Sequence, residues 1–328
     1  MAGISVKPPA DSGAVLAITG GVGGAKLCLG LADQLADSQL HIMVNTGDDF
    51  QHLGLHISPD IDTLLYTLSG RSNQDLGWGL EGESWHAMDA LAQLGGATWF
   101  RLGDKDLATH LWRTDALAGG MGFLQVIDAL ASRLGIACKI YPMTEDSVRT
   151  TVCTDQGDLP FQHYFVRLQC KPAVTGFRFE GIETARPNPA VLQLLAEERA
   201  AAVIICPSNP FVSVDPVLQV PGMWQALQGA SAPVIAVSPI VAGMAIKGPA
   251  AKMMEELKLP VSALAVARHY TERYPGLLTG FVIDQSDADQ ASDIRELGMD
   301  VAVTHTIMHS RADKAQLARF VLRMAGVG

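Results

Sequence analysis

Short continuous apolar runs recur along the chain, each closed by glycine, asparagine, aspartate or proline, and segments with helical apolar spacing lie between them. The first run, Ala14 to Thr19, ends in Gly20-Gly21-Val22-Gly23-Gly24, which predicts a buried strand leaving its sheet through a glycine turn. From Ala25 to Leu35 the residues Leu27, Leu31 and Leu35 recur at helical spacing. His41 to Val44 then reads as a second strand, stopped by Asn45-Thr46-Gly47-Asp48-Asp49. A β-loop-α-β opening implies parallel pairing through a right-handed crossover. It sets the glycine loop and the Asn45 to Asp49 loop side by side at the carboxyl ends of adjacent strands, where open α/β sheets bind ligands.

Residues from about Asp60 to Leu134 read as mostly helical, with segments starting near Asp60, Gly82, Asp104 and Met121. Between about Lys139 and Phe179 the pattern turns strand-like, as in His163 to Leu168, with Asp/Gly turns between runs. From Pro187 helix and strand alternate again, with strands at Ala202 to Cys206, Val234 to Val237, Gly280 to Ile283 and Val301 to Thr304, and a last amphipathic helix from Arg311 to Met324. The fold class expected is α/β: a Rossmann-like, mostly parallel sheet with helices on both faces and a central helical and strand-rich insertion. Its core comprises residues 1–134 and 187–328, with a helical substrate-covering segment, and 135–186 form the strand-rich insertion. The proline-bearing leader before Ala14 is expected to be disordered.

Composition narrows the class. The chain has 328 residues, 48% of them hydrophobic, so it is long enough to bury about three quarters of its unfolded surface without disulfide staples. A net charge of -10 argues against a protein that coats nucleic acid, which needs lysines and arginines against phosphates, yet leaves room for a local cationic pocket. Cys28, Cys138, Cys153, Cys170 and Cys206 are odd in number and never form C-x-x-C, so they read as buried thiols in a reducing cytoplasm. No export signal or membrane span is visible.

Two loops carry the first candidate chemistry. In Gly20 to Lys26 the glycines Gly21, Gly23 and Gly24 permit close backbone approach. The helix start and Lys26 then suit an anion better than a plain tight turn would need. Neither P-loop spacing nor the G-x-G-x-x-G register fits, because Lys26 occupies the third glycine position. The second loop bears Asp48 and Asp49 and is followed by Asp60 and Asp62 at a helix start. One acid would suffice for a ribose, whereas such an oxygen-rich cluster suits Mg²⁺ beside substrate phosphates. Asp60 and Asp62 are equally readable as an N-cap and a first-turn acid. Asp49 is the leading candidate for chemistry.

Trp78 between Gly77 and Gly79, with Trp85, offers a stacking wall for a planar ring, and Asp104 precedes His110 and Arg113 by one and two helical turns or so. Core packing of Trp85 and Trp112 and capping by Asp104 account for these residues equally simply. In the second half, Cys206-Pro207-Ser208-Asn209-Pro210 and Ser238-Pro239-Ile240 with Gly243 and Lys247-Gly248-Pro249 leave the sheet on its carboxyl side. They suit a base, ribose or phosphate, and also ordinary turn chemistry; the lysine favours phosphate.

With these residues in place, the chain resembles the 2-phospho-L-lactate transferase family of coenzyme F-420 biosynthesis. The resemblance runs from Thr19-Gly20-Gly21-Val22-Gly23-Gly24-Ala25-Lys26 through Asn45-Thr46-Gly47-Asp48-Asp49, Ser58 to Leu68, Gly77-Trp78, Leu102-Gly103-Asp104 with His110 and Cys206 to Pro210, to Val237-Ser238-Pro239-Ile240 with Lys247-Gly248-Pro249. The order and spacing of these blocks carry it. It implies transfer of a phosphorylated three-carbon acid (phospholactyl, phosphoenolpyruvyl or 3-phosphoglyceryl) from a guanosine diphosphate-linked donor to the deazaflavin Fo, releasing GMP. In that scheme Asp48, Asp49 and Asp62 are candidate Mg²⁺ ligands, and Asp49 or Asp48 takes the acceptor's proton. Trp78, Asp104 and His110 line the deazaflavin side, and Ser208, Asn209 and Lys247 the nucleotide side. The expected partners are these small molecules and a second copy of the chain, with no nucleic acid or membrane. Two other classes fit parts of the pattern: an NAD(P)-dependent oxidoreductase and a non-catalytic guanine-nucleotide-binding regulator.

Overall fold

The computed structural model describes residues 13–73, 78–246 and 248–327. The leader up to Asp11-Ser12, Gly77 and Lys247 therefore lie outside the described residues.

Seven strands form the main sheet: β1 (Ala14–Thr19), β2 (Leu40–Val44), β3 (Lys139–Pro142), β4 (Ala200–Ile205), β5 (Val234–Val237), β6 (Gly280–Asp284) and β7 (Asp300–Thr304). They pair in the order 7-6-5-4-1-2-3, and every pairing is parallel. The order reverses between β1 and β4, which opens the crevice at their carboxyl ends. Alternate side chains divide the core: Val15 and Ala17 of β1 face one way with Ile42, Val44, Ala202 and Ile204, while Leu16 and Ile18 face the other with Met43, Val203 and Ile205. Both faces of the central strands are buried, so these read as nearly unbroken apolar runs. The α/β, Rossmann-like class expected from the pattern is the one observed.

Helix α1 (Gly21–Ala32) follows β1 directly and packs against the C-terminal helix Arg311–Met324, close enough that a Cβ on Gly30 would lie 2.2 Å from the Lys314 carbonyl oxygen. Between β2 and β3 come a hairpin (Phe50–His52 with Leu55–Ile57) and four helices: α2 (Pro59–Leu68), α3 (His86–Gln93), α4 (Asp104–Ala118) and α5 (Phe123–Arg133). The hairpin turns on Leu53 and Gly54, both at positive φ (54° and 77°), as a two-residue turn matched to strand twist requires.

Two expectations for the strand-rich segment need correction. Lys139–Pro142 pairs in parallel with β2 and is the edge strand of the main sheet, so the antiparallel insertion begins after it. It consists of Arg149–Thr154 between Gly157–Pro160 and Val174–Glu180. His163 to Leu168, expected as a strand, is instead a wide helical turn (His163–Arg167) that buries only Tyr164 and ends in Gln169 and Cys170 at positive φ. Six residues rich in aromatic and β-branched side chains do not separate a strand from a short helical turn unless a neighbouring strand is present to pair with them.

Candidate active site

The crevice between β1 and β4 is lined by the loops that leave β1, β2 and β4. Gly20 donates its N–H to Ser208 Oγ at 3.2 Å, and Gly21, at φ 70°, donates to Asp60 Oδ1 at 2.7 Å. The first turn of α1 contains no acid, so a carboxylate from α2 occupies the electropositive end that the glycine loop was expected to offer to a ligand. Gly23 and Gly24 serve close packing: a Cβ on Gly23 would lie 2.5 Å from the Pro207 carbonyl oxygen, and one on Gly24 1.9 Å from Thr19 Oγ1 and 2.7 Å from Ser208 Oγ. The glycines press α1 against the β4 exit loop.

The β2 exit loop carries the acids. Asn45, fully buried, accepts from Gly47 N at 2.9 Å and donates to Asp60 Oδ2 at 2.9 Å and to the Val212 carbonyl at 3.3 Å, which fixes the loop's path. Asp49 is buried, and its Oδ2 accepts from Ser58 Oγ at 2.8 Å and lies 3.2 Å from His56 Nε2. Asp48 is buried beside it. Oδ1 of Asp48 and Oδ1 of Asp49 have no hydrogen-bond partner, and neither have the buried hydroxyls of Thr19, Thr46 and Thr150. Burial first, then repulsion from Asp60, pushes the Asp48 carboxyl well above the ordinary range. Burial likewise raises Asp60 to about 6 against the hydrogen bonds from Asn45 and Gly21.

His56 went unread in the sequence. It sits on the second hairpin strand, its N–H donating to Thr114 Oγ1 at 2.8 Å and its carbonyl accepting from Arg113 at 3.3 Å, so α4 holds the hairpin against Asp49. An alternating Leu55-His56-Ile57 run signals only a strand; the partner seven residues back is a product of the turn.

Asp62 and His110 lie together in a second buried cluster. Both oxygens of Asp62 are engaged by the fully buried Arg113 guanidinium, one at 3.0 Å, and His110 Nδ1 lies 3.7 Å from Asp62 and 3.2 Å from Arg113. His110 Nε2 lies 3.2 Å from Asp106, which also accepts from Tyr66 at 2.6 Å. The carboxylate of Asp104 caps α3, accepting from Ser84 Oγ at 2.6 Å and from the N–H groups of Ala87 and His86 at 3.0 and 3.1 Å. The Ser84 hydroxyl and these amides hold Asp104 below the usual carboxylate range. Asn209 caps the turn after β4, accepting from Phe211 N at 3.0 Å.

Trp78, 45% exposed, stands apart from these acids on the rim of a small cleft between α1, α2 and the C-terminal helix. Lys26 reaches into the same cleft and donates to the Met308 carbonyl at 3.1 Å.

Among the described residues, no three or more His, Cys, Asp or Glu side chains converge as a preformed metal cage. Mg²⁺ asks for less, commonly one or two carboxylates with substrate phosphates and waters. The unpartnered oxygens of Asp48 and Asp49 fit that requirement, whereas the Asp62 oxygens are already engaged.

Comparison with known proteins gives a consistent picture. Residues 15–318 match the family model described as 2-phospho-L-lactate transferase CofD. The chain is 37% identical over 316 residues to a phosphoenolpyruvate transferase of Streptomyces coelicolor, covering 95% of this chain and 98% of that one. It is 37% identical over 328 residues to one of Nocardia farcinica, with 97% of each covered. Among solved structures, a UPF0052 family member from Bacillus halodurans superposes with a TM-score of 0.65 at 14% identity, covering 96% of this chain and all of that one; this is likeness of fold. No helix among the described residues is long and apolar enough to cross a membrane.

Proposed function

The chain belongs to the CofD family of 2-phospho-L-lactate transferases, and on that premise we propose that it transfers a phosphorylated three-carbon acid from a guanosine diphosphate-linked donor to a ribitol hydroxyl of the deazaflavin Fo, releasing GMP, in coenzyme F-420 biosynthesis. The names of the matched relatives support phosphoenolpyruvyl as the acid carried. The observation that carries the reading is the Asp48–Asp49 pair: adjacent buried carboxylates at the sheet's switch point, each with an oxygen left without a partner. An oxidoreductase would need one acid there, for a ribose.

Asp48 and Asp49 would hold Mg²⁺, which when bound neutralises phosphate charge. The chain's own groups do the rest. His56 and Ser58 fix Asp49 through Oδ2, leaving Oδ1 buried without a hydrogen-bond partner. As the acceptor oxygen bonds to phosphorus, the bond from phosphorus to the GMP oxygen breaks and GMP departs with the electron pair. The hydroxyl proton passes to a carboxylate of the pair. Catalysis of this type is chiefly positioning and charge stabilisation.

We also propose a homodimer, which light scattering tests, and a cytoplasmic location, with which a set of five cysteines that never forms C-x-x-C agrees. The test of activity is mass spectrometry of Fo incubated with protein, Mg²⁺ and each of the three guanosine diphosphate-linked acids. A donor-dependent mass gain with GMP release is expected, largest with the phosphoenolpyruvyl donor and abolished by chelator. Asp49→Asn is expected to slow it about 10²–10⁴-fold. No product with any donor, despite guanine-nucleotide binding, would overturn the proposal in favour of a binding protein.

A further inference from the structure

The antiparallel insertion meets the acid loop through Thr150, the second residue of its central strand Arg149–Thr154. The Thr150 N–H donates to the Gly47 carbonyl at 2.8 Å, which ties the strand to the residue just before Asp48. Gly47 has no room for a side chain on that side: a Cβ there would lie 2.8 Å from Thr150 Oγ1 and 3.0 Å from Asn45 Oδ1. The Thr150 hydroxyl is therefore pressed against the acid loop, and the residue is buried. Strand side chains alternate, so Thr150 shares its face with Val152, which is fully buried in one apolar core with Val148 and Phe179. A valine at position 150 would keep the β-branched shape and bring no polar atom that needs a partner. Packing alone gives no reason for a hydroxyl there.

The reason lies with Asp48. Neither Thr150 Oγ1 nor Asp48 Oδ1 has a partner at hydrogen-bond geometry, although both adjoin Gly47. Burial and the Asp60 charge raise the Asp48 pKa, and two nearby donors oppose them, Asn45 and Thr150. The Asn45 amide already donates to Asp60 and to the Val212 carbonyl. Asp49, by comparison, has one oxygen held by Ser58 and His56 and the other left unpartnered. We propose that Thr150 is a positioning residue for Asp48: its hydroxyl donates to one oxygen of that carboxylate and leaves the other for the cation, the part that Ser58 and His56 play for Asp49. The insertion then belongs to the site, supplying the partner that orients one of its two ligands. This role rests on the proposed cation site at Asp48 and Asp49.

The test compares the full wild-type chain with Thr150→Val, which keeps the shape and removes the hydroxyl, and Thr150→Ser, which keeps the hydroxyl and removes the methyl. Mn²⁺ serves as the probe, its free concentration read by electron paramagnetic resonance with no Fo or donor present. Thr150→Val is expected to weaken Mn²⁺ binding about 10–100-fold while melting no lower than the wild type, because a buried hydroxyl without a full partner is gone. Thr150→Ser is expected to recover most of the affinity although it melts lower. In turnover of Fo, Thr150→Val should lower kcat and leave the KM for Fo near its wild-type value. If the valine variant does not fold, Thr150→Ala set against Thr150→Ser isolates the same hydroxyl. Wild-type Mn²⁺ affinity in Thr150→Val, or a loss in Thr150→Ser as large as in Thr150→Val, overturns the positioning role and leaves the cation site standing. Absence of Mn²⁺ binding by the wild type overturns both. Mn²⁺ binding that depends on the hydroxyl, in a chain that turns over no Fo, supports the positioning role and counts against the transferase reading alone.

Discussion

Asp62 and Arg113 offer the sharpest test of how the carboxylates divide between structure and chemistry. Replacing Asp62 by alanine strands a guanidinium that has no exposure to solvent and whose other contacts are His110 and a carbonyl. Removing one partner of a buried pair costs about 3–5 kcal/mol. Unfolding entropy of about 2.1 cal/mol/K per residue amounts to about 0.7 kcal/mol/K over 328 residues, so the melting temperature should fall by about 4–7 °C. Arg113→Met should cost less, because His110, 3.7 Å from Asp62, is placed to partner the carboxylate left behind. The double variant Asp62→Ala/Arg113→Met removes both charges from the interior and should recover much of the loss, with a coupling of about 2 kcal/mol or more. Calorimetric melts of the three variants without Mg²⁺ read this directly. If the double variant melts as low as the sum of the singles predicts, or Asp62→Ala melts with the wild type while Mg²⁺ affinity drops, the assignment of Asp62 to structure is refuted and a ligand role restored.

Other outcomes follow from the same geometry. Gly24→Ala puts a Cβ 1.9 Å from Thr19 Oγ1 and should destabilise the fold by about 3 kcal/mol or prevent soluble expression, as a solubility and melting comparison with Gly30→Ala will show. Ser58→Ala removes a charge-assisted hydrogen bond to Asp49 and should lower kcat by about tenfold to a hundredfold with a smaller effect on the melting temperature. Asp60, raised from 3.8 to about 6, binds its proton more tightly folded than unfolded. Its contribution to stability is therefore greatest below about pH 4 and is lost as the pH rises through about 6. Melting curves of Asp60→Asn should therefore be flatter than wild type across pH 4–6.

What the sequence made legible was local. Six of the seven main-sheet strands end within a residue or two of their expected place, the exception being Lys139–Pro142, because the central strands are buried on both faces and are apolar runs between turn residues. The acid-bearing loop was legible for the same reason: β2 stops where Asn45 begins its turn. The partners of the acids were not. Asp62 meets a residue 51 positions away, Asp104 caps a helix that starts 18 positions earlier, and Gly23 and Gly24 owe their identity to a loop more than 180 positions distant. Spacing along the chain carries no record of such contacts. A carboxylate that caps a helix or neutralises an arginine is written with the same letter as one that faces a substrate.

The distinction becomes visible only from which oxygens remain without partners. Of the four acids first grouped together, Asp60 has both oxygens engaged by the glycine loop and Asn45, and Asp62 has both engaged by Arg113. Asp48 and Asp49 each keep one buried oxygen unpartnered, at a cost that a fold selected for stability alone would remove by an amide substitution or a nearby donor. Asn45 donates to Asp60 and Val212, and His56 and Ser58 approach only Oδ2 of Asp49. Strand Arg149–Thr154 of the insertion closes the loop from the other side, Thr150 N–H donating to the Gly47 carbonyl at 2.8 Å, and brings the Thr150 hydroxyl. Hairpin, α4 and insertion thus hold in place a site with buried polar groups left unmet, and the proposed cation and phosphate would meet them.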